Sequence, residues 1–326
     1  MISRIIRAPV RVDLGGGTLD IWPISAIIPN AVTLNCTLSD GITIKIEQIS
    51  GPSTVVNADT GLIGLIHSTH PDLSLSVAAM RFFGPLTEQG FKVTVRSNVP
   101  RGSGLGTSSV ILAALLSGLS EALEIKLTPM EIVRTATDIE ARIIACPTGV
   151  QDYIAPLFGG MNCIRFPAGT LTVNPIPIPD GLRDRMVLIF TGICHFSGAP
   201  NWEMVKGFLD SSQIRSAFYQ LADIGNSAVN AAIEGNVNSL ARHMREDYDV
   251  RKSLPVSLLP QTENLFAFLE NSPLVAGFRM CGAAGGGTVA AIATEGSSDF
   301  LKTEVTDLGY QILELKPKSG GITIDT

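Results

Sequence analysis

Three glycine-rich segments and a few acids carry most of the chemistry available to this 326-residue chain. The segment Pro100-Arg101-Gly102-Ser103-Gly104-Leu105-Gly106-Thr107-Ser108-Ser109 follows an alternating stretch and precedes one rich in Ala and Leu. That order predicts a loop between a strand and a helix. Glycines at 102, 104 and 106 let the backbone turn its N–H groups toward an anion, and the helix beyond adds its own free N–H groups and positive dipole end. Thr107, Ser108 and Ser109 offer hydroxyls to phosphate oxygens or to a hydrated magnesium ion. No Gly-Lys-Ser/Thr follows, and the spacing is not Gly-x-Gly-x-x-Gly, so neither a Walker A loop nor a dinucleotide fingerprint is present. A tight structural connection is the plainer alternative for the loop taken alone.

A second segment lies near the start, from Ala8-Pro9-Val10-Arg11-Val12-Asp13-Leu14 through Gly15-Gly16-Gly17-Thr18-Leu19 to Asp20. Alternation sets Arg11 and Asp13 on one face of a strand that runs into bare backbone and a further acid. Carboxylates beside glycines suit a polyhydroxylated ligand, because hydrogen bonds to a charged acceptor are the strong ones. A surface turn with an Arg–Asp pair would look the same. The third segment, Cys281-Gly282-Ala283-Ala284-Gly285-Gly286-Gly287-Thr288, precedes an apolar stretch and is the weakest of the three. Two more acids complete the set: Glu140, with Asp138 as a rival, and Asp152 in Gly149-Val150-Gln151-Asp152. A phosphoryl transfer needs a metal to offset phosphate charge and a carboxylate to take or orient the acceptor's proton. The four histidines show no metal-ligand spacing, and no Gly-x-Ser-x-Gly elbow is present.

The elements that must position these groups are legible. Strands are predicted over 42–47 and 91–97 by alternation, and over 186–190 by an unbroken apolar run. Helices are predicted from Ser108 to about Leu123, from the Thr128-Pro129-Met130-Glu131 capping box through Ile143, and from about Gln213 to Glu234. Pro175, Pro177 and Pro179 alternate in a polar stretch and demote it to an edge strand or linker, near which a domain boundary is expected. Strands and helices interleave in both halves, so the fold class is α+β rather than a doubly wound sheet.

Together the three segments resemble the signature motifs of the galactokinase, homoserine kinase, mevalonate kinase and phosphomevalonate kinase (GHMP kinase) superfamily, in the family's order, from Arg7 to about Val289. The resemblance implies an N-terminal domain similar to domain 2 of ribosomal protein S5, over residues 1–170, and a ferredoxin-like C-terminal domain over 171–326. It implies ATP along Pro100, Gly102, Ser103, Gly104, Leu105, Gly106, Thr107, Ser108 and Ser109, and Mg2+ on Ser108 and Glu140. Asp152 resembles the catalytic acid and Arg11 its neighbour. The acceptor would meet Asp13, Gly16, Gly17, Thr18, Asp20, Gly149, Gln151 and Gly282.

The sugar-kinase branch, with heptose 7-phosphate kinase and L-fucokinase, is the most similar, on these motifs and on Gly159-Gly160 and Thr191-Gly192-Ile193 with Ser197. Leu19 stands between Thr18 and Asp20 where that branch joins the two. Arg279 and Ala284 replace its common lysine and glycine. The expected activity is phosphorylation of a sugar or sugar-phosphate hydroxyl, the anomeric one first. A mevalonate-type or other small-alcohol kinase, or a non-catalytic regulator of the same fold, are the alternatives. A heptose phosphate would call for cations, with Arg101 and Arg142 the visible candidates.

Composition bounds the remainder. Charged residues are 17% and apolar ones 45%, which argues against disorder. A formal net charge of −6 argues against nucleic acid or an anionic membrane as partner. The apolar run from Val110 to Leu116 is far short of the ~20 residues that span a bilayer. Five scattered cysteines without a Cys-x-x-Cys pair read as reduced thiols, so a cytoplasmic location is expected.

Overall fold

Two long and largely buried strands, β1 (Ser3–Gly15) and β2 (Val32–Ile49), found the first sheet of the computed structural model, which describes residues 2–84, 90–194, 198–255, 260–282 and 286–325. The two run antiparallel, and their pairing slips at Ala8/Pro9, Pro9/Arg11 and Asp13/Gly15. Pro9 has no N–H to give a ladder, so a bulge is where it is tolerated. The last slip delivers the chain into the Gly15–Gly17 turn. β3 (Thr54–Asn57), β4 (Leu62–Leu65) and β5 (Gly90–Ser97) extend one side, with β3 and β5 parallel. β6 (Met161–Arg165) pairs with the beginning of β2, and β7 (Thr172–Ile176) pairs with β6. β7 carries Pro175 at an edge, as the sequence predicts.

A second, antiparallel sheet has the order β11 (Gln311–Leu313), β8 (Met186–Phe190), β10 (Thr288–Ala293), β9 (Val275–Met280). The last strand, β12 (Thr323–Asp325), returns to pair with β1 in the first sheet. Both β7 and β12 lie beyond residue 170 yet belong to the first sheet, so a division at that residue does not separate the two sheets cleanly.

Helices α1 (Ile24–Ile27), α2 (Ser74–Phe83), α3 (Thr107–Ala122), α4 (Pro129–Ile144) and α5 (Gln151–Phe158) belong to the first half. In the second half are α6 (Leu182–Arg185), α7 (Gly198–Asp210), α8 (Ser212–Ile233), α9 (Val237–Arg251), α10 (Glu263–Asn271) and α11 (Ser298–Asp307). α3 is Ala- and Leu-rich because it is buried against β1, β2, α2, α4 and α5. α4 opens on the predicted capping box: Thr128 N–H donates to Glu131 Oε2 at 2.7 Å and Glu131 N–H to Thr128 Oγ1 at 3.3 Å. α8 spans the predicted helix with Ser211 as its N-cap.

One close approach sets the second half's α9 on its sheet. α9 packs on β9 and on β1, and a Cβ at Gly277 would lie 1.9 Å from the carbonyl oxygen of Ala241 in α9. Only glycine lets strand and helix backbones meet so closely. Gly277→Ala must push α9 outward, and the expected loss is about 1–3 kcal/mol of overpacking strain. It is measured as a lower denaturant midpoint at unchanged m-value.

Candidate active site

The 100–106 loop turns on glycines 102, 104 and 106, all at positive φ (67°, 73° and 75°). Two of them also mark crossings. A Cβ at Gly104 would stand 3.0 Å from Cys281 O, and one at Gly106 would stand 3.0 Å from Asp152 Cγ. The glycine loop, the Cys281 segment and the start of α5 are therefore in contact. α3 begins directly after Gly106, and its first bonded amide is that of Val110, which donates to Gly106 O at 2.9 Å. The hydroxyls of Ser103 and Thr107 in the loop, and of Thr288 beside it, are buried with no hydrogen-bond partner. Such orphaned groups are costly unless a ligand satisfies them. Unpaired helix N–H groups and buried hydroxyls around flexible backbone fit a polyphosphate. Gly282 follows Cys281 in the left-handed region, while Ala283, Ala284, Gly285 and Ser197 lie outside the described residues.

Arg11 and Asp152 meet in front of this loop. Arg11 Nε donates to Asp152 Oδ1 at 2.6 Å and Nη1 donates to Gly104 O at 2.6 Å. The backbone of Arg11 is bound too, its N–H donating to Leu105 O at 3.3 Å. Burial opposes the charge on Arg11, but the Asp152 carboxylate outweighs it and the guanidinium holds its proton more firmly than in water. The Asp152 side chain keeps 23% of its surface exposed and Arg11 only 3%. The acid faces outward and the base is fixed behind it.

Glu140 is buried, late in α4. Its Oε2 accepts from Ser109 Oγ at 2.7 Å and, more closely, from the hydroxyl of Tyr153. Burial raises its pKa and these two hydrogen bonds oppose that rise. The structure thus joins Glu140 to Ser109, while Ser108 is exposed at the helix start. Among the described residues no group of three or more His, Cys, Asp or Glu could cage a metal. Magnesium asks for less: one or two carboxylates, a hydroxyl and phosphate oxygens, with waters completing the octahedron. Glu140 Oε1 and the Ser108 hydroxyl fit that demand.

The acceptor-side residues separate into two groups. Asp20 Oδ2 accepts from Val150 N–H at 2.7 Å and Gln151 N–H at 2.9 Å, so it holds the N-terminus of the helix that carries Asp152. A Cβ at Gly149 would lie 2.2 Å from that oxygen, which is why the turn is glycine. Burial pushes the Asp20 carboxyl up to about 6 against those hydrogen bonds. Gln151 Oε1 is buried without a partner.

Asp13 departs from expectation: it is fully buried behind the loop rather than offered to a ligand. Its Oδ1 accepts from Gly15 N–H at 3.2 Å and its Oδ2 accepts from Arg279 Nη2 at 2.9 Å. A strand that turns inward at a bulge buries a side chain that simple alternation aims at the site.

Three partners come from the second half. Asp247 and Arg251 pair one helical turn apart on α9, Nε to Oδ1 at 2.6 Å. Arg279 Nη1 lies 3.3 Å from Asp247 Oδ2 without the alignment of a hydrogen bond. Arg251 also donates to Gly17 O at 2.6 Å and to Thr18 Oγ1 at 3.2 Å. The signal for the two α9 residues was present in the sequence: the apolar stripe Leu240–Met244 continues into positions 247 and 251, where a core-facing face carries an acid and a base. Tyr153, the partner of Glu140, has no such signal. Of the two cations considered for an acceptor phosphate, Arg101 is exposed and paired with Asp72 at 2.5 Å, and Arg142 is exposed two positions beyond Glu140, on the opposite side of α4.

Residues 74–160 match the family model of the GHMP kinases N terminal domain, and residues 228–311 match that of the GHMP kinases C terminal domain, together about half of the chain. The chain belongs to the GHMP kinase family. Its similarity extends to a bifunctional fucokinase/GDP-fucose pyrophosphorylase of Arabidopsis thaliana, 26% identical over 308 residues, covering 86% of this chain and 29% of that protein. A D-glycero-alpha-D-manno-heptose 7-phosphate kinase of Campylobacter jejuni is 29% identical over 167 residues, 50% of this chain and 49% of that one. The chain therefore spans half or less of the length of either. Among solved structures, a D-glycero-D-manno-heptose 1-phosphate kinase of Bacteroides thetaiotaomicron superposes with a TM-score of 0.80 over 100% of this chain and 99% of that one, at 22% identity. The α+β fold is the GHMP kinase fold.

In this member of the GHMP kinase family the Asp20 carboxyl has a measurable signature. Burial pushes it up to about 6, above the ordinary carboxylate range, so the native state binds the extra proton. The resulting stability is fully present below about pH 4 and is lost as pH rises through about 6. Asp20→Asn removes that titration. Between pH 4 and pH 7, wild type is expected to lose about 2 kcal/mol relative to the variant, read from denaturant titrations at both pH values.

Proposed function

We propose that this chain is an ATP- and magnesium-dependent kinase acting on a hydroxyl of a sugar or sugar phosphate, the anomeric hydroxyl first. The observation that carries the reading is the outward-facing Asp152, fixed by Arg11 directly in front of the glycine loop and the start of α3. The named activities of the relatives support the substrate class. Five free cysteines support a cytoplasmic location, and no described helix is long and apolar enough to cross a membrane. The net negative charge supports a small-molecule partner rather than nucleic acid.

ATP supplies the phosphoryl group and Mg2+ offsets its charge. The chain does the rest. Free backbone N–H groups of the glycine loop and the start of α3 would receive the phosphates, and Ser108 with Glu140 would hold the metal. Asp20 Oδ1, free of the helix contact made by Oδ2, accepts hydrogen bonds from acceptor hydroxyls. Gly16, Gly17, Thr18, Gln151 and Gly282 line the same side. Asp152 takes the proton of the attacking hydroxyl. Arg11, tied to Gly104 O as well, keeps that carboxylate from swinging away.

Turnover is tested by ADP release from MgATP with L-fucose, D-glycero-D-manno-heptose 7-phosphate, galactose, mannose and mevalonate as acceptors, and by acid lability of the product phosphate. Asp152→Asn is expected to lose about a thousandfold in kcat while MgATP binding stays unchanged. Wild-type turnover in that variant would remove Asp152 from its role. Turnover of mevalonate alone would move the chain to the small-alcohol branch, and tight MgATP binding with no turnover would make it a regulator. Protonated Asp20 is a poorer acceptor of hydrogen bonds than its carboxylate. The acceptor KM is therefore expected to rise as pH falls through about 6 while the KM for ATP holds level, and Asp20→Asn should flatten that profile.

A further inference from the structure

The acceptor loop is held from the other half of the molecule. Gly16 and Thr18 both adopt positive φ, 67° and 75°. For a β-branched residue such as Thr18 this is an outlier that persists only where surrounding contacts impose it. Those contacts are Arg251 Nη2 to Gly17 O at 2.6 Å and Nη1 to Thr18 Oγ1 at 3.2 Å. The guanidinium is itself oriented by Asp247, which receives its Nε at 2.6 Å and also accepts from Gly16 N–H at 3.4 Å. Behind Asp247 stands Arg279, bonded in turn to Asp13. Charges alternate along this chain, and all four side chains are buried. Burial pushes Asp247 toward neutrality, but Arg251 and Arg279 outweigh it and hold the carboxyl below its usual range. Two residues past Thr18 the loop reaches Asp20 and the start of α5.

We infer that Arg251 is a positioning residue for the acceptor: a latch at the end of α9 that fixes the Gly16–Asp20 loop in its binding conformation. The inference rests on the acceptor role proposed above for that loop. It makes the acceptor site a product of both halves, because the loop's conformation is imposed by a helix more than 200 residues away in the chain. The fork is essential to it. One planar guanidinium serves Asp247, Thr18 and Gly17 at once, which the single nitrogen of a lysine cannot do.

Arg251→Lys tests this with the buried charge retained, so that Asp247 is not left unpaired and the fold survives. Hydrogen–deuterium exchange is followed over residues 14–21 and 149–153 of the full chain without ligand, beside kinetics with galactose or L-fucose, whichever the wild type turns over. The expected result is exchange over 14–21 about tenfold faster and an acceptor KM about ten- to a hundredfold higher, the loss carried by one or two charge-assisted hydrogen bonds. The KM for ATP and the melting temperature should stay near wild type. Lys252→Met, which removes the neighbouring exposed cation paired with Asp249 and Glu270, should change neither readout. Wild-type exchange and acceptor KM in Arg251→Lys would overturn the latch. So would a fall in melting temperature with both KM values moving in parallel, which would make the role merely structural. If wild type turns over no acceptor, the kinase reading fails separately, and the exchange measurement still decides the latch.

Discussion

Four carboxylates crowd one region of this molecule, and their mutual repulsion is the constraint around which the site is built. Asp13, Asp152 and Asp247 each have a guanidinium: Arg279, Arg11 and Arg251 respectively. Asp20 has none bonded to it and is held by the backbone N–H groups at the start of α5. Its pKa records the difference. Burial, with Asp152 and Asp13 adding repulsion, drives Asp20 up to about 6, whereas the paired Asp247 is held below the ordinary carboxylate range. A carboxylate bound by backbone dipoles rather than by a cation keeps capacity to accept further hydrogen bonds.

Buried ion pairs do not give stability cheaply, since desolvation consumes most of the Coulombic gain. Their benefit here is geometric. Arg279 joins β9 to β1 through Asp13, and Arg251 joins α9 to the turn after β1. Both attachments cross from the second half to the first at the bulge where β1 leaves its sheet. Gly277, pressed against the Ala241 carbonyl, keeps α9 close enough for the fork of Arg251 to reach. An apolar interface could bury as much surface, but it would not specify the direction of Gly17 O or the left-handed turn at Thr18.

The sequence was legible where a residue's role depends on its neighbours in the chain. The glycine loop, the capping box at Thr128 and the helix beginning after Gly106 all come from local chemistry, and the structure has each of them. The structure also has the pairing of Arg11 with Asp152, which the family resemblance implied and local chemistry did not. What could not be read were contacts set by folding at long range. Asp13 meets a partner 266 residues away, so its exposure could not be inferred from the alternation of β1. The hydrogen bond from Ser109 to Glu140 likewise spans two helices, so the sequence does not announce it. The return of β12 to the first sheet follows from three short residues with no strand signature of their own.

A helix as short as α5 carries a positioned acid only because distant chain holds it. α5 has eight residues, too few to be stable by propensity, and Pro156 within it removes the N–H that would have bonded the carbonyl of Asp152. Both of its ends are held instead by distant chain. Asp20 binds the amides of Val150 and Gln151, and the C-terminal strap donates Ile322 N–H to Pro156 O at 2.7 Å. Gly321 lies against Gly159 so closely that a Cβ at Gly159 would stand 2.5 Å from its nitrogen. α5 is therefore clamped between the acceptor loop and the chain's last segment, with Arg11 fixing the acid from the side. The position of Asp152 is then a consequence of tertiary contacts at three points, and any displacement of the Gly16–Asp20 loop is passed to the acid through the Asp20 carboxylate.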